Sequence, residues 1–170
     1  ANPEKFLDDL SKGKITIDDI DLKVNFSAGN GINGVIIGDF DGDGKGDLAV
    51  TNDSDNTVSI FLNTSASGSI YAGSFAPKVD FAVDTTPRGL SIGDFDDDGK
   101  LDIAVAAFGT AFVSILRNTS SGPGDISFAN KSSFAINSGA VDVTVGDIDG
   151  DGKADVIASG YATNTISVLR

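Results

Sequence analysis

The stretch Asp39-Phe40-Asp41-Gly42-Asp43-Gly44-Lys45-Gly46-Asp47 returns as Asp94 to Asp102 and again as Asp147 to Asp155, each time with Asp at positions 1, 3, 5 and 9 and Gly at position 6. The copies begin at residues 39, 94 and 147, spaced by 55 and then 53 residues, so the chain is a repeat array and each repeat carries its own acidic loop.

Repulsion explains why such a loop implies a metal. Two carboxylates about 4 Å apart repel by about 4 kcal/mol at the effective dielectric of a protein surface, and each loop gathers at least four. A hard divalent cation relieves this. Ca2+, which accepts roughly 6 to 8 oxygens at flexible angles, suits the pattern better than Mg2+, which holds to an octahedron and keeps its waters. In a tight turn the side chains of positions 1, 3 and 5 converge on one centre. Gly44, Gly99 and Gly152 at position 6 permit the bend, and the carbonyls of Lys45, Lys100 and Lys153 at position 7 then face inward, with the ammonium groups expected toward solvent. An Asp-Gly hairpin turn without metal needs only one such pair. Here 13 of the 25 acidic residues lie in three nine-residue windows. A helix-loop-helix EF-hand is excluded by the absence of a Glu at about position 12 and by flanks that read as strands.

Composition agrees with an all-β extracellular module. Gly, Ser, Thr, Val and Ile are plentiful, and the formal net charge is −13, which three Ca2+ would bring to −7. Such a chain has no basic patch to release counterions from nucleic acid, and no apolar run long enough to span a membrane. With no Cys, it is not a small disulfide-stapled scaffold.

One repeat reads as four strands: Val35 to Asp39, Leu48 to Thr51, Thr57 to Leu62 and Phe75 to Val83. The second repeat gives Leu90 to Asp94, Ile103 to Ala107, Phe112 to Arg117 and Ser127 to Ile136, and the third gives Val141 to Asp147, Val156 to Ser159 and Thr165 to Leu169. The second strand of each, such as Leu48-Ala49-Val50 or Ile103-Ala104-Val105, is apolar without alternation and should be covered on both faces. Four short strands per repeat and a period in the fifties predict stacked blades of a β-propeller.

Gly38-Asp39-Phe40-Asp41-Gly42-Asp43-Gly44-Lys45 and its two later copies resemble the FG-GAP and VCBS-type repeats of integrin-α-like propellers, common in bacterial surface and secreted proteins. The trailing phrases Thr57-Val58-Ser59-Ile60, Phe112-Val113-Ser114-Ile115 and Thr165-Ile166-Ser167-Val168 match that family's third strand. The resemblance covers roughly residues 24 to 170, and the chain lacks the Phe-Gly and Gly-Ala-Pro words that named the repeat. It implies that the four Asp side chains and the position-7 carbonyl hold Ca2+: Asp39, Asp41, Asp43, Lys45 and Asp47; Asp94, Asp96, Asp98, Lys100 and Asp102; Asp147, Asp149, Asp151, Lys153 and Asp155. It also implies an extracellular, secreted or cell-surface location. Integrin ligand chemistry does not carry over.

The expected organisation is a short helix or linker over residues 1–14 and a three-blade propeller unit over 15–170. Asn2, Pro3 and Glu4 suit a helix start, Phe6, Leu7 and Leu10 form one apolar face, and Gly13 can end it. Residues 15 to 26 align with the closing strand Lys78-Val79-Asp80-Phe81, so the chain begins on a fourth strand and ends on a third, which permits a clasp between the termini. Three blades fall short of the roughly four to eight of known propellers. The outcomes are a piece of a longer propeller, a homodimer completing six blades, or an open stack, and exposed edges disfavour the last.

Successive antiparallel strands place the acidic loops on one face and the loops after strands two and four on the other. That second face is the expected site for a carbohydrate or protein ligand, with Phe108 and Tyr161 at matching places and Arg88 as a lone cation. Local packing between blades is the competing explanation of the aromatics. Asn63-Thr64-Ser65 and Asn118-Thr119-Ser120 are sequons that an Asn- and Ser-rich chain produces by chance. The function expected is a calcium-stabilised adhesion or ligand-binding module. The alternatives are a spacer repeat of a large surface protein and a propeller enzyme acting on polysaccharide, the latter disfavoured because no His or Cys is present and most clustered carboxylates are committed to metal.

Overall fold

A computed structural model describes residue 12 and residues 24–66 and 70–170. The helix expected over the first residues lies outside the described residues, as does most of the strand expected over 15 to 26. The described residues form strands β1 (Ile32–Gly38), β2 (Asp47–Asn52), β3 (Thr57–Phe61), β4 (Val79–Ala82), β5 (Pro87–Gly93), β6 (Asp102–Ala107), β7 (Phe112–Leu116), β8 (Ser132–Ala135), β9 (Ala140–Gly146), β10 (Asp155–Gly160) and β11 (Thr165–Leu169). They make three antiparallel sheets in the orders β1-β2-β3-β4, β5-β6-β7-β8 and β9-β10-β11. Each sheet is a propeller-type blade, and each acidic loop joins its first two strands.

Blades stack in sequence order because their second strands are apolar on both faces. All of β6 is buried: Ile103 and Val105 join Ala49, Val58 and Ile60 of blade 1 in one core, while Ala104 and Ala106 join Val143, Val156 and Ala158 of blade 3 in another. The unalternating pattern thus has its expected cause. Among the described residues, blade 1 packs on blade 2 and blade 2 on blade 3.

Two details depart from expectation. The first strands begin earlier, at Ile32 and Pro87, because a register break lies before Val35 and Leu90. Gly34 and Gly89 sit in these breaks, where a Cβ would lie 2.6 Å from the Arg88 carbonyl oxygen and 2.1 Å from Asp142 Oδ1. The next blade comes too close for any side chain. The fourth strands are also shorter, with Phe75 and Phe128 held only by isolated bridges to Asn63 and Asn118. Pro77 lacks the N–H needed to extend the ladder in blade 1, and nothing in blade 2 explains the same break.

The strand expected to make the clasp lies mostly outside the described residues. Val24 to Phe26 form no strand, and β11 carries no outer strand among the described residues. Phe26 nevertheless meets Phe75 edge-on at 4.9 Å, as Phe81 of β4 meets Phe128 at 5.0 Å. Residue 26 therefore stands to blade 1 as the outermost strand of blade 1 stands to blade 2, without a ladder to pair with.

Candidate metal centres

Each acidic loop is organised around its first Asp. Asp39 Oδ1 accepts hydrogen bonds from the N–H groups of Gly42 and Asp43, and Oδ2 accepts from Gly44 at 2.8 Å. Asp94 and Asp147 repeat the bond to position 6, from Gly99 at 2.8 Å and Gly152 at 2.9 Å. The chain can curl around one carboxylate because position 6 takes the left-handed conformation, with φ of +84°, +84° and +88°. Position 4 is left-handed as well, and there Asp97 (φ +58°) stands where the other loops have Gly42 and Gly150.

The position-9 Asp ties the loop to the sheet. Asp47 accepts N–H bonds from Phe40 at 2.9 Å and Asn63 at 2.8 Å, and Asp102 accepts them from Phe95 at 2.9 Å and Asn118 at 2.7 Å. Asp155 makes the first of these bonds, to Ile148. All three are buried. Burial pushes the Asp47 and Asp102 carboxyls above the ordinary range, the two N–H bonds pull them partly back, and the neighbouring loop carboxylates push them further up. A positive charge in the loop would relieve this strain.

Three carboxylates in every loop offer oxygens within 4.8 Å of one another: Asp39, Asp41 and Asp43; Asp94, Asp96 and Asp102; Asp147, Asp149 and Asp155. Of the expected ligands, Asp47, Asp98 and Asp151 stand outside these tightest groups. Asp98 and Asp151 instead accept the N–H of Lys100 and Lys153 at 3.0 and 2.9 Å, as Asp43 accepts that of Lys45. An all-oxygen anionic donor set in a chain without His or Cys fits a hard divalent cation.

One expectation is corrected. The Lys45 ammonium does not point to solvent: its Nζ lies 2.7 Å from Asp43 Oδ2, and Lys100 Nζ lies 3.3 Å from Asp98. The position-5 carboxylate draws the ammonium two residues on in its own loop. The bond to Lys45 holds the Asp43 carboxyl below its usual range and raises the Lys45 ammonium.

The sequence reading missed Asn63, Asn118, Arg117 and Arg170. Asn118 donates from Nδ2 to the carbonyls of Phe40 and Leu101 at 2.9 and 3.1 Å and is buried, so this sequon serves the loops and is closed to a glycan. Arg117 and Arg170 reach back to position 3, with Nη1 to Asp96 Oδ2 at 3.2 Å and to Asp149 Oδ2 at 2.8 Å. The signal was present as Leu-Arg at the end of the second and third copies of the third strand.

A family model of the FG-GAP-like repeat matches residues 39–105 and again 94–158, each match opening on the first Asp of a loop. The chain belongs to the FG-GAP-like repeat family. No curated protein matches it. No helix among the described residues is long and apolar enough to cross a membrane.

The opposite end of this FG-GAP-like unit holds the loops after the second and fourth strands, joined by bonds such as Asn30 N–H to Asp55 and Thr86 N–H to Asn56. There Arg88, Phe108 and Tyr161 come together. The Arg88 guanidinium carbon lies 3.8 Å from the centre of the Phe108 ring, and Phe108 meets Tyr161 edge-on at 6.0 Å.

Proposed function

We propose that this chain is a calcium-binding β-propeller module in which one Ca2+ per loop supports the blade stack, and that it serves extracellular adhesion or the binding of a carbohydrate or protein ligand. The reading rests on one observation above all: every loop gathers three carboxylates, always the Asp at positions 1 and 3, joined by position 5 in the first loop and by position 9 in the other two. Asp39, Asp41, Asp43 and Asp47 would hold the first ion with the Lys45 carbonyl, and the matching residues of the other two loops the second and third. Residues 15–170 would act as one three-blade unit, completed to six blades by a second copy.

A ligand is best sought on the face opposite the calcium loops, where the exposed Tyr161 ring continues the Arg88–Phe108 pair. The alternative of a spacer repeat draws support from the same place, since the guanidinium stacked on Phe108 is already committed. A glycan or protein-binding screen with Tyr161→Ala as control separates the two. Catalysis has no comparable support, because the carboxylates are drawn into the loops and no His is present. Metal counting on the dialysed protein tests the reading directly: three Ca2+ per chain are expected, and none taken up at millimolar Ca2+ would sink it.

A further inference from the structure

The three loops share their sequence frame but differ in what satisfies the position-3 Asp. In loops 2 and 3 a guanidinium does so, Arg117 on Asp96 and Arg170 on Asp149. In blade 1 the corresponding residue is Leu62, and Asp41 Oδ2 instead accepts the N–H of Gly124 at 2.6 Å, from the segment that follows β7 in blade 2. That N–H is neutral, and Asp41 is only 7% exposed. Blade 2 fixes the same loop a second time, through the Asn118 amide on the Phe40 carbonyl.

We infer that the loops form a graded series of cation sites, loop 1 tightest and loop 3 weakest, with the position-3 partner setting the grade. The inference rests on the calcium reading above. A guanidinium already on the carboxylate lowers the repulsion that an incoming ion would relieve, and its own charge opposes that ion. For a solvent-exposed arginine about 6 Å from a divalent ion at physiological salt, the two effects together weaken binding about three- to tenfold. The position-7 ammonium meets position 5 at 2.7 Å in loop 1 and 3.3 Å in loop 2, but on the flexible stem of an exposed lysine, which an entering ion displaces more easily than a planar guanidinium set on position 3. Loop 2 alone carries a fifth carboxylate, Asp97, which offsets Arg117 at longer range and places this loop between the others. Loop 1 has neither arginine nor freedom to move, because the neighbouring blade holds Asp41 and Phe40 in place. Filling it would also strengthen the seam between blades 1 and 2, since Asp41 is both ligand and interblade acceptor.

The experiment is a Ca2+ titration of the folded full chain followed by the backbone amide resonances of Gly44, Gly99 and Gly152, whose N–H groups donate to the first Asp of their own loops. The wild-type order expected is Gly44 first and Gly152 last. Arg170→Leu should lower the Gly152 midpoint about three- to tenfold and leave Gly44 unmoved, Arg117→Leu should do the same at Gly99, and Arg170→Lys should stay near wild type because it keeps the charge. Both side chains are more than half exposed, so these variants keep the fold. Midpoints at Gly99 and Gly152 that ignore the two Leu variants, or Gly44 saturating last, would overturn the grading. No movement at any of the three glycines would remove the calcium reading itself and the grading with it.

Discussion

Blade 2 and blade 3 are written in nearly the same words and differ in what covers them. In blade 2 Val113 of the third strand is at 0% exposure, whereas its counterpart in blade 3, Ile166, stands at 72%. The repeat supplies a sheet that is apolar on both faces, and stacking alone decides which faces become core. A blade is therefore stable in proportion to its neighbours, as expected for a quasi-one-dimensional array.

The largest effect follows from that difference. Ile103→Ala should cost about 2 to 5 kcal/mol in urea unfolding, because it opens a cavity between two blades, while Ile166→Ala should cost under about 0.5 kcal/mol as an exposed substitution. Comparable losses at the two sites would break the comparison. They would mean that the free face of blade 3 is covered in solution, as a second copy completing six blades would cover it.

A middle-sized effect contrasts the clamps. Asp102→Asn removes one of two acceptor oxygens and leaves a backbone N–H of Phe95 or Asn118 unsatisfied, at a cost of about 1 to 3 kcal/mol in thermal melting. Asp155→Asn should cost less, since Asp155 accepts a single backbone N–H among the described residues.

The smallest effect is electrostatic and separates the two blade junctions. Burial pushes the Asp84 carboxyl up, but hydrogen bonds from Lys131, Ser133 and Ser114 outweigh it and hold the group below its ordinary value of 3.8. A depressed carboxyl adds stability that is present above the unfolded value and lost as the pH falls through the folded one. Acid melts should therefore lose a small increment below about pH 4 that Asp84→Asn no longer shows. At the next junction the corresponding residue is Asn137, so no such increment arises there.

Much of this was legible in the chain. The thrice-written loop, the strand order and the double-sided burial of the second strand follow from local spacing and periodicity, which one repeat contains by itself. What escaped the reading depends on a neighbour. Gly34 and Gly89 are required by the approach of the next blade, Asn118 looks like a sequon until the Phe40 carbonyl of another blade is beside it, and Gly124 is an ordinary loop glycine until its N–H meets Asp41. The spacing of Lys45 and Lys100 likewise gives no sign that their ammonium groups fold back onto Asp43 and Asp98.

The central claim is that cations in the acidic loops hold the stack together. Each site at Ca2+ about ten times Kd would contribute about 1.4 kcal/mol, so three would supply about 4 kcal/mol, a large share of the stability of a domain this size. Calorimetric melting in saturating Ca2+ and again in EDTA tests this directly. The account predicts a melting temperature lower by many degrees in EDTA and restored by added Ca2+. Superimposable melts under the two conditions would contradict it.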